Sequence, residues 1–293
     1  MVITKKPEWI RVKGVDEGVL NKMKGLLDRY HLHTVCESAV CPNVGTCFAA
    51  GTATFMILGN ICTRNCSFCG VPSGKPLPPD ADEPLHVAEA ARDLGLKHVV
   101  VTSVTRDDLA DGGAAQFAAT IRQINRLVPS ASTDVLIPDF QGSRDNLAMV
   151  MDAQPDILAH NLETVPRLYP ACRQRADYRK SLRILQYAKE LNPRGFTKSG
   201  IMLGLGETHA EVLGVMHDLR EVNCDFLTIG QYLRPSAEQI EVKEFIRPEI
   251  FEEYRVIGAE MGFRYVASSP FVRSSFHAEE ALKFVDRSEK VKR

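Results

Sequence analysis

Six of the eight cysteines fall into two sets whose spacing suits metal chemistry. Between Gly59 and Cys69 the chain runs Gly-Asn-Ile-Cys-Thr-Arg-Asn-Cys-Ser-Phe-Cys, so Cys62, Cys66 and Cys69 have the spacing C-x3-C-x2-C. Fe–S clusters are held by cysteine thiolates, normally four to a [4Fe–4S] unit, so three close cysteines leave one iron without a protein ligand. An iron with an open position can bind substrate, as the metal of a catalytic site does. Short thiolate spacing also suits a structural zinc knuckle, but zinc needs a fourth ligand, and the next candidate is His86, beyond a Pro-rich linker. Cys36, Cys41 and Cys47 form the second set, C-x4-C-x5-C. Six thiolates are too many for one cluster, so two sets predict two clusters.

The elements that must position these loops are legible from periodicity. Strand-like runs at 54–58, 97–102, 133–137, 156–160, 199–203, 225–229 and 264–267 alternate with helical patterns. Leu182, Leu185, Ala188 and Leu191 share one helical face, as do Val212, Val215, Met216 and Leu219, and Ile250, Tyr254, Ile257 and Met261. Strands alternating with helices imply βαβ units and a parallel sheet. Six units suggest an α/β fold with a partial (β/α)6 barrel, a relative of the eight-unit barrel, with a flat doubly wound sheet as the rival. In either case the chemistry gathers at the C-terminal ends of the strands. Residues 1–53 read as an irregular N-terminal extension with a short helix around 21–31. Residues 54–267 form the barrel, and 268–293 form a C-terminal segment ending in a charged tail.

Composition narrows the class. Lys and Arg number 36 against 37 Asp and Glu, a formal charge of −1, which argues against nucleic acid or an anionic membrane as a bulk electrostatic partner. The first nine residues have no apolar core behind their lysines, and no later run approaches a membrane span. The chain is therefore expected to be cytoplasmic, or an organelle protein without its transit peptide. Reducing compartments keep thiols free, so the cysteines are expected to bind metal or do chemistry. Cys172 and Cys224 fit neither set and read as small buried hydrophobes. His160, on a strand, reads as hydrogen-bonded core. His277 is a candidate for supporting a ligand from behind.

The loop from Cys62 to Cys69, with Phe68 just before the last cysteine and a strand just before the loop, resembles the signature of the radical S-adenosylmethionine superfamily. The resemblance implies that the open iron chelates the methionine end of S-adenosylmethionine and that electron transfer releases a 5′-deoxyadenosyl radical. With the second cysteine set the likeness becomes narrower. The chain resembles the lipoyl synthase family through residues 51–59, 102–109, 160–165, 198–204, 230–233 and 273–278. That family is a sulfurtransferase of lipoate biosynthesis, inserting sulfur at C6 and C8 of an octanoyl chain carried on a protein lysine. The resemblance implies a second, auxiliary [4Fe–4S] cluster on Cys36, Cys41 and Cys47, consumed as sulfur donor, with Ser275 of Arg273-Ser274-Ser275 as its fourth ligand. Phe276 stands where the family usually has Tyr, and Ser269 where it usually has Gly; neither is a proposed ligand. Biotin synthase, which also inserts sulfur, lacks an N-terminal set of this spacing.

The same resemblance supplies candidate cofactor contacts. Asn161 and Glu163, ending the fourth strand, and Ser103, after the second, are candidates for the amino or ribose groups of S-adenosylmethionine, and Arg173 for its carboxylate. Each has a plain alternative as a turn or cap, because such groups readily bond local backbone. Gly204 and Gly206 bring backbone close to the cofactor or simply make a tight turn. From Arg167 to Lys198 nine basic residues face two acidic ones. That run is either a solvated helix face or a docking surface for an acidic partner: an octanoylated lipoyl carrier domain or H protein, or an electron donor such as ferredoxin or flavodoxin.

Overall fold

In the computed structural model the described residues are 6–10, 17–38, 41, 43, 44, 47 and 54–275. Phe276 and His277 lie outside them. One eight-stranded sheet runs β1 (His33–Thr34), β2 (Thr54–Ile57), β3 (His98–Ser103), β4 (Ser132–Leu136), β5 (Ile157–Ala159), β6 (Phe196–Leu203), β7 (Phe226–Gln231) and β8 (Tyr265–Ser268), each beside its neighbour in sequence. From β2 onward every pairing is parallel, while β1 is antiparallel to β2. A strand order that follows the chain has no switch point, which removes the doubly wound alternative. The helices are α1 (Glu17–Arg29), α2 (Val35–Ser38), α3 (Glu83–Asp93), α4 (Ala114–Leu127), α5 (Arg144–Met151), α6 (Tyr169–Cys172), α7 (Tyr178–Leu191), α8 (His209–Glu221) and α9 (Pro248–Glu260).

The strands are buried on both faces, as a parallel sheet under helices requires; β2 is buried at all four positions and β7 at all six. The sheet curves. Asp134 on β4 and Lys198 on β6 form a buried ion pair although β5 lies between them. Neighbouring strands stand about 4.8 Å apart, so a concave face shortens the reach that such a pair needs. The outer shell divides into two apolar clusters, one under α3–α5 and one under α7–α9.

Three expectations shift. The seven strands appear, but β1 makes an eighth, so the N-terminal extension joins the sheet rather than merely preceding it. The helix expected at 21–31 spans Glu17–Arg29. Helix α9 buries Phe251, Tyr254 and Gly258 and leaves Ile250 37% exposed, rotating its expected face by about one position. Gly258 is the reason: a Cβ there would stand 2.8 Å from Val266 Cγ2, so the bare backbone lets the helix sit down on β8. Among the described residues no helix is long and apolar enough to cross a membrane.

Candidate active site

The cysteine loop leaves β2 through two residues in the left-handed region, Leu58 at φ +68° and Gly59 at φ +87°. A leucine there is strained and must be held. Glu83, at the start of α3, accepts the Leu58 N–H on both carboxylate oxygens at 3.1 and 2.9 Å. Arg106, 1% exposed, donates to the Leu58 carbonyl at 3.1 Å. The peptide that launches the loop is thus clamped at both ends, by Glu83 and by the Arg of Thr105-Arg106-Asp107-Asp108.

The loop closes on itself and onto its neighbours. Cys62 N–H donates to Pro72 O at 2.8 Å and Gly74 N–H to Cys62 O at 2.9 Å; Thr63 N–H reaches Thr105 O and Ser67 N–H reaches Cys172 O, both at 3.0 Å. Arg64 sits beneath, bonded through two nitrogens to Asp107 at 2.8 Å and through two to Asp139 at 2.8 and 2.7 Å. Burial would raise the Asp139 pKa, but the guanidinium wins and holds it at about 2. Burial likewise works against the charge on Arg64, and the two carboxylates overcome it. Arg175 ties the loop from outside, donating to Thr63 O at 2.7 Å.

All eight residues singled out for the radical site line one cavity of about 210 Å3: Cys62, Cys66, Cys69, Phe68, Ser103, Asn161, Glu163 and Arg173. The thiols are prepared unequally. Burial pushes Cys69 up to about 12, partly offset by the Val71 N–H at 3.5 Å from its sulfur, while Cys62 receives the Arg64 N–H at 3.4 Å. Cys66 is raised by burial, against the pull of Arg173. Among the described residues no three such side chains converge as a single-ion site does. In a cubane each thiolate binds a different iron, so convergence on one point is not required. Thiols that lose a proton on binding, and backbone N–H groups aimed at two sulfurs, fit a cluster's donor set.

The remaining wall fits a ligand rich in hydrogen-bonding groups. Four residues that line this cavity each carry a buried polar atom with no hydrogen-bond partner: Ser103 Oγ, Asn161 Oδ1, Arg173 Nε and His160 Nε2. Buried polar atoms left unpaired cost free energy, so four around one cavity mark a place where a ligand completes them. S-adenosylmethionine brings an ammonium, a ribose diol and an adenine amine as donors, with a carboxylate as acceptor. Glu163 stands at φ +66°, a backbone conformation held by its bonds to Gly200 and Met202. Burial raises its carboxyl pKa, opposed by Arg173 and Asn161. Arg173 spends Nη1 on Asn161 O, Leu162 O and Tyr169 Oη and leaves Nε buried without a partner. Gly204 and Gly206 are absent from this wall. Glu207 accepts the Gly204 and Leu205 N–H groups, making the tight turn. Cys172 and Cys224 are fully buried, as expected.

The second cysteine set begins next to the cavity wall. Pairing of β1 with β2 sets His33 against Met56, which brings Val35 to the cavity; Cys36, next in sequence, is 6% exposed. Cys41 and Cys62 pack against the same apolar cluster. Asn43, inside the set, donates to Phe271 O at 2.7 Å. That C-terminal strand of chain lies flat on β7, where Gln231 N–H donates to Pro270 O, and a Cβ at Gly230 would collide with the Val272 carbonyl. Arg273 follows, within electrostatic reach of both Cys41 and Glu163. Ser275 is partly exposed two residues later. Sequence reasoning assigned no role to Arg64, Glu83, Asp139 or Arg273. Arg64 within the cysteine loop and Arg273 beside the serines were the only local signals.

A sheet of this order with a three-cysteine loop after its first parallel strand defines the radical S-adenosylmethionine class. The sequence model of the radical SAM superfamily matches residues 56–219. Two solved structures share the fold at low identity: methylornithine synthase, TM-score 0.56 with 15% identity over 80% of this chain and 78% of that one, and HydG, a maturase of the [FeFe]-hydrogenase, TM-score 0.59 with 14% identity over 89% and 67%. A lipoyl synthase of Caldanaerobacter subterraneus subsp. tengcongensis is 57% identical over 278 residues, covering 95% of this chain and 97% of the relative. The chain belongs to the lipoyl synthase family. It is a radical S-adenosylmethionine enzyme that inserts sulfur into octanoyl-lysine, using two [4Fe–4S] clusters.

Proposed function

We propose that Cys62, Cys66 and Cys69 hold the cluster that binds S-adenosylmethionine, and that Cys36, Cys41, Cys47 and Ser275 hold the auxiliary cluster. Sulfur then enters at C6 and C8. The observation that carries this reading is the single cavity lined by all eight residues expected at the radical site. C6 and C8 are unactivated, with no neighbouring carbonyl to make a proton removable, so a base has nothing to work on. S-adenosylmethionine at a reduced cluster supplies a hydrogen-abstracting radical, and the auxiliary cluster supplies sulfur beside the carbon that has lost hydrogen. The protein's share is orientation and exclusion of side reactions.

Each residue has a part in that share. Glu83 and Arg106 fix where the cysteine loop begins, and Arg64, Asp107 and Asp139 fix its base. Ser103, Asn161 and Glu163 accept from the amino or ribose groups of S-adenosylmethionine, and Arg173 Nε meets its carboxylate. The wall made by Phe68, Val71, Val104 and Leu136 keeps water from the reacting carbon. The C-terminal segment, anchored through Asn43 and Gly230, brings Ser275 toward the second cysteine set and closes over the site. Residues 1–53, 54–267 and 268–293 are the parts that supply these functions. The enzyme works in the cytoplasm, with no nucleic acid or membrane partner.

The basic run is less free than its count suggests. Arg167 pairs with Glu211, Lys189 with Asp225 and Lys198 with Asp134; Arg173 lines the cavity, and Arg175 holds the cysteine loop. Arg179 and Arg183 remain exposed on α7. They form the docking surface for an acidic carrier, an octanoylated lipoyl domain or H protein, while a ferredoxin or flavodoxin delivers electrons. Reversing Arg179 and Arg183 to Glu is expected to slow turnover on an intact carrier domain about tenfold at low salt. With a chemical reductant, lipoyl formation on a short octanoyl-lysyl peptide stays unchanged. The wild-type rate on the domain falls as salt rises. Equal losses on both substrates contradict docking, and no lipoyl product from either substrate with wild type contradicts the function.

A further inference from the structure

His160 lines the cavity with one ring nitrogen hydrogen-bonded and the other buried without a partner. It follows β5, is 2% exposed, and places Nδ1 2.9 Å from the Ile137 carbonyl. A carbonyl only accepts, so Nδ1 carries the hydrogen and donates it. Burial, and then the nearby Arg173 cation, disfavour a second proton and hold the imidazole pKa at about 4. At neutral pH Nε2 is therefore a bare acceptor, buried and without a partner. The expected core role accounts for half of this side chain; the other half waits for a donor.

The surroundings say what kind of donor. Met56, Thr102 and Leu136 occupy neighbouring register positions on β2, β3 and β4, and with His160 they form a neutral floor to the cavity. Arg173 and Glu163 both act electrostatically on Cys66, beside the cysteine loop, and Arg173 acts on His160 as well. The charged amino-acid end of a ligand belongs near those groups, where an open iron also lies. The uncharged end is left for the floor. In S-adenosylmethionine that end is the nucleoside, whose hydroxyls and adenine amine are neutral donors.

We infer that His160 Nε2 accepts a hydrogen bond from the nucleoside half of S-adenosylmethionine, which makes His160 a cofactor-binding residue. This rests on the cavity being the S-adenosylmethionine site. The test uses anaerobically reconstituted enzyme with wild-type iron content and measures dissociation constants by equilibrium dialysis for three probes: S-adenosylmethionine, 5′-deoxyadenosine and L-methionine. His160→Met keeps the volume and removes the acceptor, and is expected to weaken S-adenosylmethionine and 5′-deoxyadenosine by a common factor of about ten, the worth of one buried hydrogen bond. L-Methionine binding stays unchanged. His160→Gln keeps an acceptor oxygen and recovers most of the loss. Unchanged nucleoside binding in His160→Met overturns the inference and leaves the cavity assignment standing, as a site where water satisfies Nε2. Weakened L-methionine binding also overturns it, because it places His160 at the other end of the ligand. Failure of wild type to bind S-adenosylmethionine overturns the cavity assignment itself.

Discussion

Replacing Cys62, Cys66 and Cys69 together by alanine is expected to leave a folded protein with about four iron and four sulfide per chain, half the wild-type content of about eight of each. Cleavage of S-adenosylmethionine falls to background. The fold tolerates the change because the loop is held mainly by backbone bonds, by the Arg64 ion pairs and by the clamp on Leu58, none of which needs a thiol side chain. Cys172 is not placed to substitute, being fully buried against Phe68, Leu205 and Tyr232. The second set keeps its own supports, the β1–β2 pairing and the Asn43 bond to Phe271. Iron and sulfide analysis and mass-spectrometric counting of 5′-deoxyadenosine read the two effects separately. A wild-type content near four contradicts the two-cluster account.

Ser275→Cys is expected to keep both clusters and still form 5′-deoxyadenosine, yet to make little lipoyl product. Oxygen is a harder ligand than sulfur, and a serine holds its proton far more tightly than the thiol of cysteine at about 8.5. A serine–iron bond is therefore the easier one to break by protonation. Such a bond would suit a cluster that gave up iron together with its sulfur. The partly exposed position of Ser275, at the far end of a segment pinned at Gly230 and Asn43, gives the proton a route to it. Ser274→Ala is expected to be much milder. Wild-type yield from Ser275→Cys defeats the lability argument, and loss confined to Ser274→Ala assigns the ligand to the other serine.

The parallel strands were legible because most hold a short, largely apolar run buried on both faces, such as residues 99–101 and 226–229. Strand β1 was not, since His33 and Thr34 are two residues with no period of their own and become a strand only by pairing with β2. The residues that line the cavity were legible because strand ends and one loop are local features, and a parallel sheet brings its C-terminal ends together whatever its curvature. The supports were hidden for the opposite reason. Arg64 meets Asp139 from 75 residues away, and Arg273 comes within reach of Glu163 across more than a hundred, by virtue of sheet curvature and a glycine at 230. The basic run shows a further limit: counting charge is blind to direction, and Lys198 points into the sheet while Arg183 points out.

The claim at the centre of this account is that the protein's own auxiliary cluster is the source of the inserted sulfur. The direct measurement is a single anaerobic turnover of enzyme reconstituted with isotopically heavy sulfide, freed of excess sulfide, and given S-adenosylmethionine, reductant and an octanoyl-lysyl peptide. Mass spectrometry of the peptide is expected to show a lipoyl group carrying two heavy sulfurs. The Cys36, Cys41 and Cys47 triple alanine variant is expected to form 5′-deoxyadenosine but no lipoyl product. Lipoyl product carrying light sulfur, or any lipoyl product from that variant, contradicts the account.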